Sequence, residues 1–171
     1  MNDFARLVRT VPDFPQPGVL FRDLTPLMGD AGALRATIEA LVGPFREERV
    51  ELVAGMEARG FVFGALAAYE LGAGFVPLRK PGKLPAAVEA VSYALEYGTA
   101  TLEVHRDAFG HGRRVLLVDD VLATGGTAAA SVDLLERVGA TLVGCAFVLE
   151  LPALGGRARL PGRRLHRVLA L

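Results

Sequence analysis

The chain is short of several things that would cross-link it or send it outward. Of its 171 residues only one is cysteine, Cys145, so no disulfide can form within the chain. The apolar run around it, "TLVGCAFVLEL", reads as a strand holding a buried thiol. Lysine is nearly absent: Lys80 and Lys83 are the two, both inside "RKPGKLP", and arginine supplies every other basic residue. Asn2 and Gln16 are the two side-chain amides, a scarcity that fits either a heat-adapted source or a GC-rich genome. No apolar run approaches the roughly 18 to 20 residues that would span a bilayer, and Met1 to Thr10 lacks the apolar centre of a secretory signal, so a cytoplasmic location is expected. Formal net charge is zero, which leaves no basic field for nucleic acid or anionic lipid. Any polyanion must therefore be held locally. A chain of this length makes one core and is expected to form one domain over residues 1–171.

What is present is an α/β rhythm. From residue 30 a helical pattern, "DAGALRATIEALVGPFREER", leads to the strand "VELVAGM", the helix "GFVFGALAAYELG" and the strand "GFVPLRK". "AVEAVSYALEYGTATLEVH" reads as a hairpin turning at Tyr97-Gly98. "RRVLLVDD" and "TLVGCAFVLEL" are near-continuous apolar strands flanking the helix "GTAAASVDLLERVGA", the signature of a parallel sheet covered on both faces. Two segments stand outside this rhythm. "VPDFPQPGVLFRDLTPL" carries three prolines before Phe21, and "ELPALGGRARLPGRRLHRVLAL" closes the chain with more Pro, Gly and Arg. Both are expected to form a lid over one end of the sheet.

The chemistry concentrates in "VLLVDDVLATGGTAAA", residues 115–130. Ligands of open α/β sheets bind beyond the carboxyl ends of the strands, which is where residues 119–127 fall if the strand is 115–118. Ala123-Thr124-Gly125-Gly126-Thr127 forms a turn whose free backbone N–H groups, at a helix start, suit a phosphate. Thr124 and Thr127 add hydroxyl donors. No lysine follows the second glycine, so this is not a Walker A loop, and it does not fit G-x-G-x-x-G either. What remains is a monophosphate cradle preceded by Asp119 and Asp120, a pair suited to sugar hydroxyls or to a hydrated Mg²⁺. A ribose 5-phosphate has both an anionic end for the turn and vicinal hydroxyls for the acids.

Residues 115–127 resemble the phosphoribosyl pyrophosphate (PRPP) motif of the type I phosphoribosyltransferases. The resemblance implies that family's fold: a mostly parallel twisted sheet flanked by helices, a hood from about 1–28 and 151–171, and a flexible loop at about 84–104. "GMEARGFVFG", residues 55–64, resembles the family's pyrophosphate loop, with Arg59 as its cation and a strained peptide, cis among its forms, near Glu57-Ala58. Positions matching Arg59, Lys80 and Lys83 contact pyrophosphate in the family, and Arg79 beside them is expected to join in binding pyrophosphate; this accounts for lysine kept where arginine serves elsewhere.

"DFPQPGVLFRDLTPL", residues 13–27, resembles the N-terminal signature of the adenine phosphoribosyltransferases, and "RKPGKLP", "SYALEYG" and "ELPALGGRARL" match further stretches of them. The resemblance implies that adenine stacks on Phe21, bonds to the backbone of Leu20 and Arg22, and is closed in by Leu151. Family members acting on hypoxanthine or guanine usually carry aspartate where this chain has Ala123. In the adenine enzymes the resemblance implies an acid from the hairpin instead, at the position matching Glu96. The implied activity is purine salvage: adenine and PRPP giving AMP and pyrophosphate, with Mg²⁺, in a homodimer. The catalytic set that the resemblance implies is Glu96, Asp119, Asp120 and Arg59. "PAAVEAVSY" is more alanine-rich than the family's usual stretch, which bears on the hinge of the hairpin. A xanthine-type transferase would share the two acids and Ala123 but not "FPQPGVLFRD". A PRPP-sensing regulator would need a DNA-binding module ahead of "FRDLTPL". His105, His111 and His166 lack the spacing of metal ligands.

Overall fold

The inner strands of the central sheet are apolar along most of their length because both of their faces are covered. The computed structural model describes residues 4–95 and 98–171. Along the chain come β1 (Arg9–Pro12), β2 (Leu20–Asp23), α1 (Thr25–Gly29), α2 (Ala31–Val42), β3 (Leu52–Met56), α3 (Arg59–Leu71) and β4 (Gly74–Leu78). They are followed by β5 (Val88–Leu95), β6 (Gly98–His105), β7 (Arg114–Leu122), α4 (Gly126–Arg137), β8 (Thr141–Glu150) and β9 (Leu165–Ala170). Five of these strands form one sheet in the order β4-β3-β7-β8-β9, every pair parallel.

Successive residues of β7 and β8 point to opposite faces. Val115, Leu117, Cys145 and Phe147 pack with α4 and the β5-β6 hairpin, whereas Leu116, Val118, Ala146 and Val148 pack with α2 and α3. Cys145 is fully buried, and burial pushes its thiol up to about 12. From β3 the chain steps outward to β4, and from β7 it steps the other way to β8. The strand order therefore reverses between β3 and β7, opening a crevice at their carboxyl ends.

Three boundaries differ from the sequence expectation. The helix expected over residues 30–49 ends at Val42 and passes into a 3-10 turn, Gly43–Phe45. Pro44 has no N–H to donate and its ring clashes with the carbonyl one turn back, so the α-helix cannot continue. At its other end the Asp30 carboxylate accepts from the Ala33 N–H at 2.7 Å, a normal helix cap. Strand β7 does not stop at Val118 but stays paired with β8 as far as Leu122. Finally, Leu165–Ala170, read as part of a lid, is a strand of the main sheet beside β8. The polar and Gly-rich residues between them cross back over the sheet end as two 3-10 turns, Pro152–Leu154 and Gly156–Arg159.

The proline-rich N-terminal stretch forms an antiparallel ribbon of β1 and β2. Asp23 fastens it to α1, accepting from the Thr25 N–H at 2.9 Å and from Arg9 Nε at 3.0 Å. The β5-β6 hairpin has the expected antiparallel register, Val88 opposite His105. Residues 96 and 97, with the Glu96 side chain expected at the site, lie outside the described residues.

Candidate active site

The two acids sit where one neighbouring strand has ended and the other has not. Val118 is the last β7 residue paired with β3, but Asp119 still pairs with Phe147 of β8. Both carboxylates thus project at the crevice from backbone that a ladder holds in place. Asp120 is 6% exposed and forms an ion pair with Arg59, the first residue of α3. Burial raises the Asp119 pKa well above the carboxylate range, and the neighbouring negative charge of Asp120 raises it further. Its carboxylate lies against Gly60, where an added Cβ would strike it. The Asp120 N–H and the Arg59 charge offset this only in part, so the acid is fitted to further hydroxyl donors or a cation.

Immediately after β7, residues 122–128 curl around a cavity of about 80 Å³ that Asp119 and Val121 also line. Gly125 takes φ +78°, a left-handed conformation that glycine adopts without penalty, and α4 begins at the next residue. The turn is held from outside by the C-terminal segment: a Cβ on Gly125 would meet Gly156 backbone, and one on Gly156 would meet Ala123 and Gly125 backbone. That segment is anchored by Glu150, 4% exposed, which accepts from Arg157 Nη2 at 2.8 Å and from Arg167 Nη1 at 2.5 Å. These hydrogen bonds, Arg157 first, outweigh burial and lower the Glu150 pKa. From the hairpin, the Tyr93 hydroxyl lies 3.1 Å from Thr127 Oγ1.

The second loop leaves β3. The Glu57-Ala58 peptide is cis, one of the forms expected there. Glu57 accepts from the Lys80 N–H at 3.0 Å and from Arg79 Nε at 3.1 Å, which lower its pKa against the opposing effect of burial. Arg79 also donates to the Lys83 carbonyl at 3.4 Å and lies over the Phe61 ring, 5.9 Å from its centroid. It braces the loop, while Lys80 and Lys83 are exposed beside it.

At the third corner is Phe21 on β2. The Arg59 guanidinium lies 5.5 Å from the centroid of its ring, so one arginine touches both Asp120 and the predicted base platform. Phe14 meets the same ring edge-on at 5.0 Å. Leu20 is 58% exposed and Arg22 donates to Thr10 Oγ1. Leu151, the predicted opposite wall, donates its N–H to the Leu122 carbonyl at 2.9 Å, which ties it to the start of the cradle. Sequence reasoning did not single out Phe14, Glu150, Gly156 or the Tyr93 contact. Gly156 and the Tyr93 contact depend on partners some thirty residues away, and Phe14 and Glu150 on side-chain placements that no motif announces.

A model of the phosphoribosyl transferase domain matches residues 28–160. The chain belongs to the phosphoribosyl transferase family. Among its relatives, the adenine phosphoribosyltransferase of Methylococcus capsulatus is 62% identical over 169 residues, 99% of each chain. The crystal structure of the adenine phosphoribosyltransferase from Rhodothermus marinus superposes with TM-score 0.94 at 54% identity, covering 98% of this chain and 96% of that one. The Saccharomyces cerevisiae enzyme, crystallised with an imino-altritol bisphosphate and adenine, gives TM-score 0.92 at 38% identity, covering 97% and 96%. The family's fold is the α/β fold described above, with its parallel sheet and the crevice between β3 and β7.

Proposed function

We propose that this phosphoribosyl transferase moves the 5-phosphoribosyl group of PRPP onto adenine, giving AMP and pyrophosphate in purine salvage. The observation that carries the reading is the double contact of Arg59, which brings the acid pair and the aromatic platform to one crevice. The amides of residues 123–127, with the hydroxyls of Thr124 and Thr127, hold the 5-phosphate. Asp119 and Asp120 take the ribose hydroxyls and stabilise the positive charge that develops at C1. Arg59 exchanges its present partners for the departing pyrophosphate, which Lys80 and Lys83 also neutralise, while Arg79 steadies their loop. Adenine stacks on Phe21 against Leu151 and bonds to the backbone of Leu20 and Arg22, with Glu96 handling its proton.

Among the described residues no group of three or more His, Cys, Asp and Glu could hold a metal alone. Two adjacent carboxylates nevertheless fit a hard cation that keeps most of its shell from water and phosphate, so Asp119 or Asp120 would complete the shell of Mg²⁺ brought with PRPP. Bound there, Mg²⁺ would neutralise charge on the pyrophosphate and ribose oxygens.

The family resemblance supports a homodimer, and the outer face of α3, where Val62 is 38% and Tyr69 86% exposed, offers apolar surface for it. No helix among the described residues is long and apolar enough to cross a membrane, which is compatible with the cytoplasmic location expected. The test of function is an assay of purified protein with PRPP, Mg²⁺ and each of adenine, hypoxanthine, guanine and xanthine. AMP should form from adenine at a kcat/KM at least about a thousandfold above any oxopurine, as a site built on polar pairing allows. Preference for an oxopurine would overturn the assignment.

A further inference from the structure

We propose that Tyr93 is a positioning residue for the phosphate cradle: its hydroxyl donates to Thr127 and so commits the single Thr127 hydroxyl proton to the anion in the turn. This rests on residues 123–127 holding a phosphate. Tyr93 reaches Thr127 across 34 residues of sequence, from strand β5 to the first turn of α4, with 3.1 Å between the oxygens. Its ring is packed against the core that α4 shares with the sheet, so the hydroxyl is presented from a fixed body.

A threonine hydroxyl has one proton and two lone pairs. Ser131 donates to the Thr127 carbonyl at 2.8 Å, not to its hydroxyl, while Thr127 both meets Tyr93 through Oγ1 and lines the cavity. An ionised phosphate oxygen accepts hydrogen bonds. Were Thr127 to spend its proton on Tyr93, its lone pairs would face that anion and repel it. With Tyr93 donating, the order becomes Tyr93 to Thr127 to phosphate, a chain in which each bond polarises the next. The same bond lets the hairpin sense whether the turn is filled, because an anion drawing on Thr127 strengthens the hold on β5.

The experiment uses Tyr93→Phe, Thr127→Val and the double variant, with calorimetric binding of AMP, ribose 5-phosphate and adenosine, and steady-state kinetics in PRPP. Circular dichroism and Tm verify that each is folded. Tyr93→Phe should weaken AMP and ribose 5-phosphate about three- to tenfold, the effect of one neutral hydrogen bond, and leave adenosine unchanged. It should raise KM for PRPP by a similar factor with kcat within about twofold. In the Thr127→Val background the same change should cost nothing further, since its relay is gone. Loss of AMP and adenosine affinity alike would mark a merely structural residue and overturn the proposal. So would wild-type AMP affinity in Tyr93→Phe, or effects of the two substitutions that simply add. Unaltered AMP binding in both single variants would remove the phosphate reading as well.

Discussion

The contact between the cradle and the C-terminal segment can be separated into its conformational and steric parts with three glycines. Gly155 has φ +66° and open space around an added Cβ, so Gly155→Ala carries only the cost of a left-handed residue, about 1–2 kcal/mol. Gly156 lacks a positive φ, but its Cβ would fall on the Ala123 carbonyl oxygen and 2.9 Å from the Gly125 nitrogen. Those are backbone atoms that cannot swing aside, so Gly156→Ala carries the cost of overpacking, about 1–3 kcal/mol. Gly125→Ala combines both, with φ +78° and Gly156 backbone in the way, for about 2–5 kcal/mol. Against a total stability of about 5–15 kcal/mol, all three variants should fold, Gly125→Ala least securely.

Urea unfolding gives the three stability losses, and calorimetric binding of AMP to each folded variant gives the functional ones. Gly155→Ala should lose stability and keep its AMP affinity, because nothing presses on the turn. Gly156→Ala displaces Ala123 and Gly125, and losing one hydrogen bond to a charged phosphate weakens binding about ten- to hundredfold. Gly125→Ala should do at least as much. If Gly156→Ala bound AMP like the unaltered protein and cost no more stability than Gly155→Ala, the interlock between cradle and C-terminal segment would not exist in solution.

Asp120→Asn should lower kcat at least about tenfold, since a hydrogen bond to a charged group contributes about 1.5–3 kcal/mol; unchanged turnover in the purified variant would remove Asp120 from the catalytic set. Asp23 gives a pH signature: the Thr25 N–H, then Arg9, lower its pKa from the ordinary 3.8 to about 2. The charged carboxylate therefore stabilises the ribbon; its contribution is complete above the unfolded value of 3.8 and is lost as pH falls through about 2. Carboxyl NMR titration should find that low midpoint, moved upward in Arg9→Met, and an Asp23 midpoint near 3.8 in the unaltered protein would contradict the contacts drawn for it.

The parts legible in the sequence are those whose cause is local. β7 and β8 announce themselves because burial on both faces demands an unbroken apolar run, and the acid pair and glycine turn lie within nine consecutive residues, 119–127. β9 did not, since "LHRVLA" is an edge strand of mixed exposure that follows Pro, Gly and Arg. The early end of α2 was signalled by Gly43-Pro44, a breaker that the helical pattern on either side concealed. The ion pair of Arg59 with Asp120 spans 61 residues, and that of Arg164 with Glu48 spans 116, distances at which no periodicity or motif speaks. The roles of Phe21 and Leu151 came from resemblance; their links to Arg59 and to Leu122 came from the fold.

The clamp on Glu150 bears on the order in which this chain matures during synthesis. One of its two arginines, Arg167, belongs to β9, so a polypeptide not yet extended through that strand has its acids, its glycine turn and Arg157, but not the second arginine beneath Leu151 and Gly156. The full brace at the crevice thus waits for β9, and a product stalled or clipped before that strand keeps the motif while losing one of the two arginines of its clamp.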